Sequence, residues 1–520
     1  MVEQVNAPSI LRVETQKSVR GEFKSMSVQN QGKTTTNMKL RLLFHEYYSE
    51  NPKSIDVPNQ IHTREFAIQA WEHNWRCREQ IGRDESGNEV RTGCGKSGKS
   101  FQPITKCPNC DSKAVSVTNW IRHEGYKSRD DLLRNLVKIA PHSIYHSAAF
   151  YRFPTAIKMH EKEWMGAELV FDIDADHLDL KCANDHDSWR CKNPTCGKIG
   201  TGKPPEVCPV CGDAWYCDNP KCGKIGSGDL PKTCPDCNGK TSRKLYGFST
   251  RKWICNKCLG VARKHTMKLY DEFLTDDLGF DPDKIQLNYS GHRGYHIRVH
   301  DPKVYTLDSN ARIEIVHYVM GSGFRGNKAI ISQSGGSLIP SRDIPGWSGK
   351  IADAIVEFIQ NIDTYPGREK WVKLLKDEKV KVIAINMLQR PRPVLSGKVK
   401  GVGIKSWQEI AEKAVERFGS EIDRPVTHDI HRVIRLIGSI NGKTGFSVTE
   451  LTRDDLDTFN PFNDAITFNE GTLKVRFHKG PIIPSFVIND EKYGPFNGES
   501  IELPIAAAVF VLSKGVALLE

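Results

Sequence analysis

The 520-residue chain carries 74 Lys plus Arg against 63 Asp plus Glu, a formal charge of +11, with 26% charged and 38% hydrophobic residues. That is the make-up of a water-soluble globular protein of roughly two to four domains. No run of 18 apolar residues occurs, Ile505 to Ser513 is too short to span a bilayer, and Met1 to Met38 lacks a hydrophobic signal segment, so neither a membrane-spanning nor a secreted protein is expected.

In chain order, residues 1–37 are polar and aperiodic, the pattern of a disordered tail. Thr63 to Trp71 and Val115 to Arg122 alternate like two paired strands. Between them Cys77, Cys94, Cys107 and Cys110 have the pattern of a zinc ribbon on a hairpin tip, spanning 72–114. Ala167 to Asp174 (AELVFDID) reads as a buried strand. Period-2 geometry sets Asp172 and Asp174 on one face, about 7 Å apart. Two acids inside an apolar strand are costly unless a cation neutralises them, and their hard oxygens suit Mg²⁺ or Mn²⁺. Asp176, two residues on, reads as a solvated strand end.

The chain has 15 cysteines, an odd number that argues against a disulfide framework. Cys191, Cys196, Cys208 and Cys211 repeat as Cys217, Cys222, Cys234 and Cys237 within a 26-residue duplication of WRCKNPTCGKIGTG as WYCDNPKCGKIGSG. This is a tandem zinc ribbon. Cys182, Cys255 and Cys258 remain, with His186 as the natural fourth ligand, so the two ribbons would sit inside the loop of an outer Cys3His site spanning 182–258. Four protein ligands close each coordination sphere, so these ions would be structural. As thiolate complexes they would also cut the net charge to about +4, so composition alone does not argue for nucleic acid.

Gln286 to Asp301 (QLNYSGHRGYHIRVHD) reads as two strands around a Gly291-His292-Arg293-Gly294 turn, with His296, Arg298 and His300 on one face. Glycine at both ends permits positive φ and close approach to a ligand. Ser290, Arg293 and His296 offer a hydroxyl, a guanidinium fork and an imidazole around one space, which suits a triphosphate. Residues 303–419 hold helical patterns, such as Ile351 to Ile362 and Trp407 to Phe418, and read as an inserted helical lobe. Glu421 to Gly445 brings Asp423, a helical stretch over Thr427 to Leu436 with Arg432 and Arg435, and a turn-rich loop bearing Asn441 and Lys443. Residues 473–520 return to strands and end in a short apolar helix.

Three of these segments together resemble the small, catalytic subunit of archaeal and eukaryotic DNA primase. The F-D-I-D strand, the S-G-x-R-G-x-H hairpin, and an aspartate upstream of R-L-x-x-S-x-x-G-K-T-G follow in the family's order. The zinc site after F-D-I-D, the Arg64-Glu65-Phe66 strand and Phe459-Asn460-Pro461-Phe462 match as well, so the resemblance runs from about Met38 onward. It implies an α/β fold with a primase-type mixed β-sheet core. That core would comprise 38–302 and 420–520, interrupted by the ribbons and the helical lobe.

The resemblance implies primer synthesis on single-stranded DNA by two-metal nucleotidyl transfer from nucleoside triphosphates, releasing pyrophosphate. Asp172, Asp174 and Asp423 would hold Mg²⁺ or Mn²⁺. Ser290, Gly291, Arg293, Gly294, His296, Arg435, Asn441 and Lys443 would bind the nucleotide. A large subunit would be the partner in a heterodimer, and the setting cytoplasmic and nucleoid-associated. Asn441 departs from the family's usual His, and the tandem ribbons exceed the simplest members. Two rival readings are a non-catalytic zinc-ribbon module that binds nucleic acid and a D-x-D glycosyltransferase. The first leaves the buried acids unexplained. The second leaves the ribbons unexplained and requires a secretory signal.

Overall fold

The computed structural model describes residues 28–520, apart from 84–88, 179, 194–195, 213, 244–245, 334–335, 396–398 and 400. The tail expected over 1–37 lies outside the described residues as far as 27. Its remainder corrects that expectation, because helix α1 (Val28–Glu50) begins there. Leu40, Leu43, Phe44 and Tyr48 bury one side of this helix, and its polar start is tied down where the Leu519 N–H donates to Thr36 Oγ1 at 3.0 Å.

The elements that build the centre follow as β1 (Phe66–Cys77), β2 (Val115–Glu124), β3 (Ser143–Ser147), β4 (Leu169–Asp174), α2 (Asn256–Lys268), β5 (Ile285–Tyr289), β6 (Gly294–Val299), α3 (Trp347–Gln360), α4 (Ile404–Phe418), β7 (Val433–Arg435), β8 (Thr449–Leu451) and α5 (Ile505–Ser513). They form two sheets rather than one. The first runs β7-β3-β1, with β2 also paired to β1, and the second runs β8-β5-β6-β4. Every pairing is antiparallel, which corrects the expected mixed sheet while keeping the α/β character. Both β1–β2 and β5–β6 are hairpins, the first with its cysteine-bearing segment at the tip as anticipated, and hairpins return the chain in the opposite sense.

Phe66, Ile68 and Ile144 from the first sheet join Phe171, Leu287 and Ile297 from the second in one hydrophobic core. The helical segment between β6 and β7 adds a core of its own, in which Ile351, Ile355 and Ile359 of α3 face Trp407, Ile410 and Ala414 of α4. Helix α5 is apolar all round and buried from Ile505 to Leu512. The helix expected over Thr427 to Leu436 is corrected too. A short helix spans Arg424–His428, and the chain then becomes β7, pairing Ile434 with His146. Val433 and Ile434 are β-branched and fit the pleated sheet edge, which overrides the helical spacing of their neighbours.

Candidate active site

The mouth between the two sheets is a cleft of about 590 Å³. The first sheet contributes Trp120, Tyr145 and Val433–Arg435, and the second contributes Asp172, Asp174 and His296, with Ser290 and His292 from the turn and Lys443 from the loop beyond β7. Three distant segments therefore meet here, in the way the sequence motifs required.

The register of β6 on β4 pairs His296 with Asp172 and Gly294 with Asp174. His296 Nε2 stands 3.7 Å from Asp172 Oδ1. Burial, then the nearby Arg435, Arg298 and Arg432 guanidiniums, pushes the His296 imidazole down to about 3, so it is neutral at physiological pH. Asp172 is held up at about 7, first by burial and then by the Asp174 and Asp423 carboxylates, while Arg432 and Arg435 pull it down. Asp423 is fixed beside it, its backbone N–H donating to the Asp172 carbonyl at 2.8 Å. A carboxylate crowded by two others in a cleft edged with arginine suits a hard divalent cation. The three acids do not share the 4.8 Å spacing that gathers ligands round a single ion elsewhere in the chain, and acids divided between two ions need not.

Ser290, His296, Arg435 and Lys443 line the cleft. Arg435 lies over the Tyr145 ring, 4.8 Å from its centroid. Lys443 is exposed on the rim, and partial burial together with Arg435 and Arg293 lowers its pKa. The other four residues expected at the nucleotide are not among those that line the cleft. Arg293 is buried and held in an ion pair with Asp176, with Asp174 Oδ1 at 3.9 Å. Asp176 is thus a partnered acid, joined also by Lys252 at 3.0 Å, and not a freely solvated strand end.

Asn441 is fully buried and faces inward, its amide donating to the Ser290 carbonyl at 3.0 Å while its oxygen accepts the Lys443 N–H at 3.0 Å. The two glycines answer to backbone packing more than to ligand approach. A Cβ on Gly294 would lie 2.0 Å from the Ile173 carbonyl oxygen, and one on Gly291, at φ +74°, would lie 2.7 Å from Asn441 Cβ. Arg298 and His300 also leave the expected basic face. Both sit with Arg64 against the buried Glu168, at 3.6, 3.0 and 2.6 Å, the two guanidiniums neutralising it.

Several lining residues carry no local sequence signal. Trp120 of β2 and Tyr145 of β3 meet with ring centroids 5.0 Å apart and planes tilted by 38°, and His431 accepts or donates a 2.9 Å hydrogen bond with Tyr151. A period-2 reading finds an aromatic on a strand but not the strand facing it. Helix α5 is another hidden support. It runs beneath the 441–445 loop, where a Cβ on Gly445 (φ +79°) would strike Val509 at 2.3 Å and Phe446 stacks on Phe510 at 5.4 Å.

All four cysteine groups assemble as the spacing required. In each set of Cys77/Cys94/Cys107/Cys110, Cys191/Cys196/Cys208/Cys211, Cys217/Cys222/Cys234/Cys237 and Cys182/His186/Cys255/Cys258, the ligand atoms lie within 4.8 Å of one another. Sulfur–sulfur separations of 3.4 to 3.8 Å approach the edge of about 3.8 Å that a tetrahedron with 2.3 Å zinc–sulfur bonds would have. His186 Nε2 faces Cys258 at 3.1 Å while Nδ1 meets Asp187 at 2.8 Å, so a carboxylate orients the ring from behind. The groups nest. The strands around the Cys217–Cys237 group lie in sequence between those around the Cys191–Cys211 group, and both lie inside the Cys3His pair of segments. The duplication extends to packing, since Trp189 covers Gly200 and Trp215 covers Gly226 with the same 2.2 Å clearance for a Cβ.

A family model described as DNA primase small subunit matches residues 249–453. The DNA primase small subunit PriS of Methanothrix thermoacetophila is 31% identical over 425 residues, spanning 76% of this chain and 88% of that protein. The PriS proteins of Methanocella arvoryzae, at 30% over 427 residues, and Methanococcoides burtonii, at 29% over 422, cover 76% of this chain and 87% of their own lengths.

Proposed function

This chain belongs to the family of DNA primase small subunits and is a primer-synthesising nucleotidyltransferase; from that premise we propose that Asp172, Asp174 and Asp423 hold its two catalytic cations. The observation that carries the assignment is the crowding of Asp172 by the Asp174 and Asp423 carboxylates, where Asp172 and Asp174 line the cleft with Arg432 and Arg435 and Asp423 is held behind them by its bond to the Asp172 carbonyl. Divalent metals supply charge neutralisation at the attacking hydroxyl and the leaving pyrophosphate in an in-line displacement. Mg²⁺ and Mn²⁺ suit an all-oxygen donor set.

The chain's own residues do the rest. Arg435 and Lys443 meet the triphosphate from the first-sheet side, and Ser290 and the neutral His296 offer hydrogen bonds from the hairpin. Arg293 joins them by exchanging Asp176 for phosphate oxygens. Asn441, Gly291 and Gly294 act indirectly, fixing the hairpin against the loop. A neutral His296 is a poor proton acceptor beside a carboxylate with a raised pKa, so no general base is assigned to it.

We assign zinc to the four cysteine groups as structural ions, three with four thiolates and one with three thiolates and a histidine. The catalytic core comprises 38–302 and 420–520, with 303–419 as a helical lobe. The small-subunit family implies a large-subunit partner. Single-stranded DNA and nucleoside triphosphates are the substrates, in a cytoplasmic, nucleoid-associated setting. Among the described residues no helix is long and apolar enough to cross a membrane.

Nucleotide incorporation on single-stranded DNA with Mg²⁺ or Mn²⁺, with and without an annealed primer, tests the metal assignment. The wild type should extend, and Asp172→Ala/Asp174→Ala should not, while retaining its zinc and its melting behaviour. Undiminished incorporation by the double variant would refute the assignment.

A further inference from the structure

A second open cavity, of about 610 Å³, lies where the first ribbon meets the core. Its walls come from three distant parts of the chain. Lys33 reaches in from α1, Arg190 and Arg251 come from the paired ribbon strands Ser188–Cys191 and Phe248–Arg251, and His478 and Lys479 follow the strand Thr472–Phe477. No Asp or Glu lines the cavity, and among the described residues none of these five side chains has a salt-bridge partner. Arg251 Nη1 is buried with no hydrogen-bond partner. A buried guanidinium donor without an acceptor, in a cavity walled by cations, is the half of an interaction that an anion completes.

The like charges crowd each other. Burial and then Arg190 lower the Arg251 pKa, and burial and then Arg251 and Lys33 lower that of His478. Lys514, at the end of α5, connects this cavity to the catalytic cleft. Its ammonium donates to the Lys252 carbonyl at 3.3 Å, and burial, then Arg293 and Lys443 on the catalytic side, with Arg251 on the ribbon side, depress it to about 7. Lys514 thus lies between basic groups of the cleft and of the ribbon, with Asp187 also beside it.

We propose that the cavity walled by Lys33, Arg190, Arg251, His478 and Lys479 is a phosphate-binding site, separate from the catalytic cleft, that holds the backbone of a single-stranded nucleic acid passing to or from it. Phosphate is the recognised chemistry, and a strand or a free nucleoside triphosphate can supply it. Five basic side chains spread over three segments of an open cavity favour the strand, which presents successive phosphates, over a single nucleotide. Phosphate contacts of this kind fix position without reading sequence.

The test is equilibrium binding to the full-length, zinc-loaded chain, by fluorescence anisotropy, of a labelled oligo-deoxythymidine and separately of a fluorescent ATP analogue. Arg190→Glu/Lys479→Glu is compared with wild type over a salt series, and Arg190→Gln/Lys479→Gln, which adds no repulsion, guards against a folding defect. Zinc content and melting temperature check each variant. Strand affinity should fall about tenfold at 0.1 M salt, and the log–log salt slope should become shallower by about two. Weakened ATP binding with unchanged strand binding would keep the phosphate site and assign it to free nucleotide. Unchanged binding of both probes in folded variants would overturn it. Neither probe requires nucleotidyl transfer, so failure here and failure of the metal assignment are separate results.

Discussion

An aspartate in the middle of an apolar strand has few stable environments, and Asp172 lies in a cleft with Asp174 and Asp423 beside it. The period of the strand puts Asp172 and Asp174 on the cleft side while Phe171 and Ile173 enter the core. Asp172→Asn keeps size and hydrogen bonding but removes the charge a cation needs. Extension of a primed template should then fall about a thousandfold, roughly 4 kcal/mol of lost transition-state stabilisation, with the melting temperature unchanged or raised. Arg293 was legible as a cation beside the cleft but not as one already engaged, because the Asp176 pair depends on how the 290–293 turn folds back over β4. Asp176→Asn should release the guanidinium and lower KM for the nucleotide a few-fold with kcat unchanged, since it improves binding equally in ground and transition states. A raised KM in steady-state extension would mean that Asp176 holds Arg293 in its productive position. Arg298 and His300 show the opposite limit of sequence reading: alternate cations on a strand look like a wet face until a buried glutamate, here Glu168, turns up between them.

The ribbons differ in what they hold up. Among the described residues the strands around the Cys217–Cys237 group, Trp215–Cys217, Ile225–Gly226 and Thr241–Ser242, pair only with one another. The Cys3His group is attached to the catalytic frame, because Cys255 caps α2 and accepts the Cys258 N–H at 3.4 Å, and α2 buries Leu259 and Ala262 in the core shared with β4 and β6. Cys217→Ser/Cys237→Ser should therefore lose one zinc per chain by elemental analysis and leave primed extension within about twofold of wild type. Cys258→Ser should also lose one zinc, yet reduce extension more than tenfold, because a freed α2 no longer supports the strands bearing Asp172 and His296. Equal effects of the two variants would mean that the nested sites form one cooperative unit. The spacing of the cysteines made all four groups legible, since thiolate geometry tolerates few alternatives. It did not reveal which group anchors the core, since that depends on what lies against α2.

At the scale of the whole molecule, the motifs and their order were readable, whereas the division into two antiparallel sheets was not. Strand pairing over long separations leaves no local trace, and the contact of Trp120 with Tyr145 belongs to that hidden layer. The split matters because the cleft joins the sheets: Asp172 and Asp174 stand on the second, and Arg435 on the first. Cation binding should therefore stabilise the entire core, with a pH dependence set by Asp172. Its folded pKa, about 7, lies above the ordinary 3.8, so the folded chain holds this proton more tightly than the unfolded one. In metal-free protein the resulting stabilisation is complete below about pH 4 and is lost as pH rises through about 7, an effect of up to about 4 kcal/mol. The melting temperature of the metal-free wild type, relative to that of Asp172→Asn, should consequently fall between pH 5.5 and 8.5. Millimolar Mn²⁺ should restore several degrees at pH 8.5 and far less at pH 5.5, where the proton competes with the ion. Taking the difference from Asp172→Asn cancels the buried histidines His146 and His292, whose lowered pKa values act in both proteins, while His296, in contact with Asp172, titrates near 3, below the pH range measured. An Mn²⁺ stabilisation that is equal at both pH values, or that survives in Asp172→Asn, would locate the stabilising ion away from the three acids.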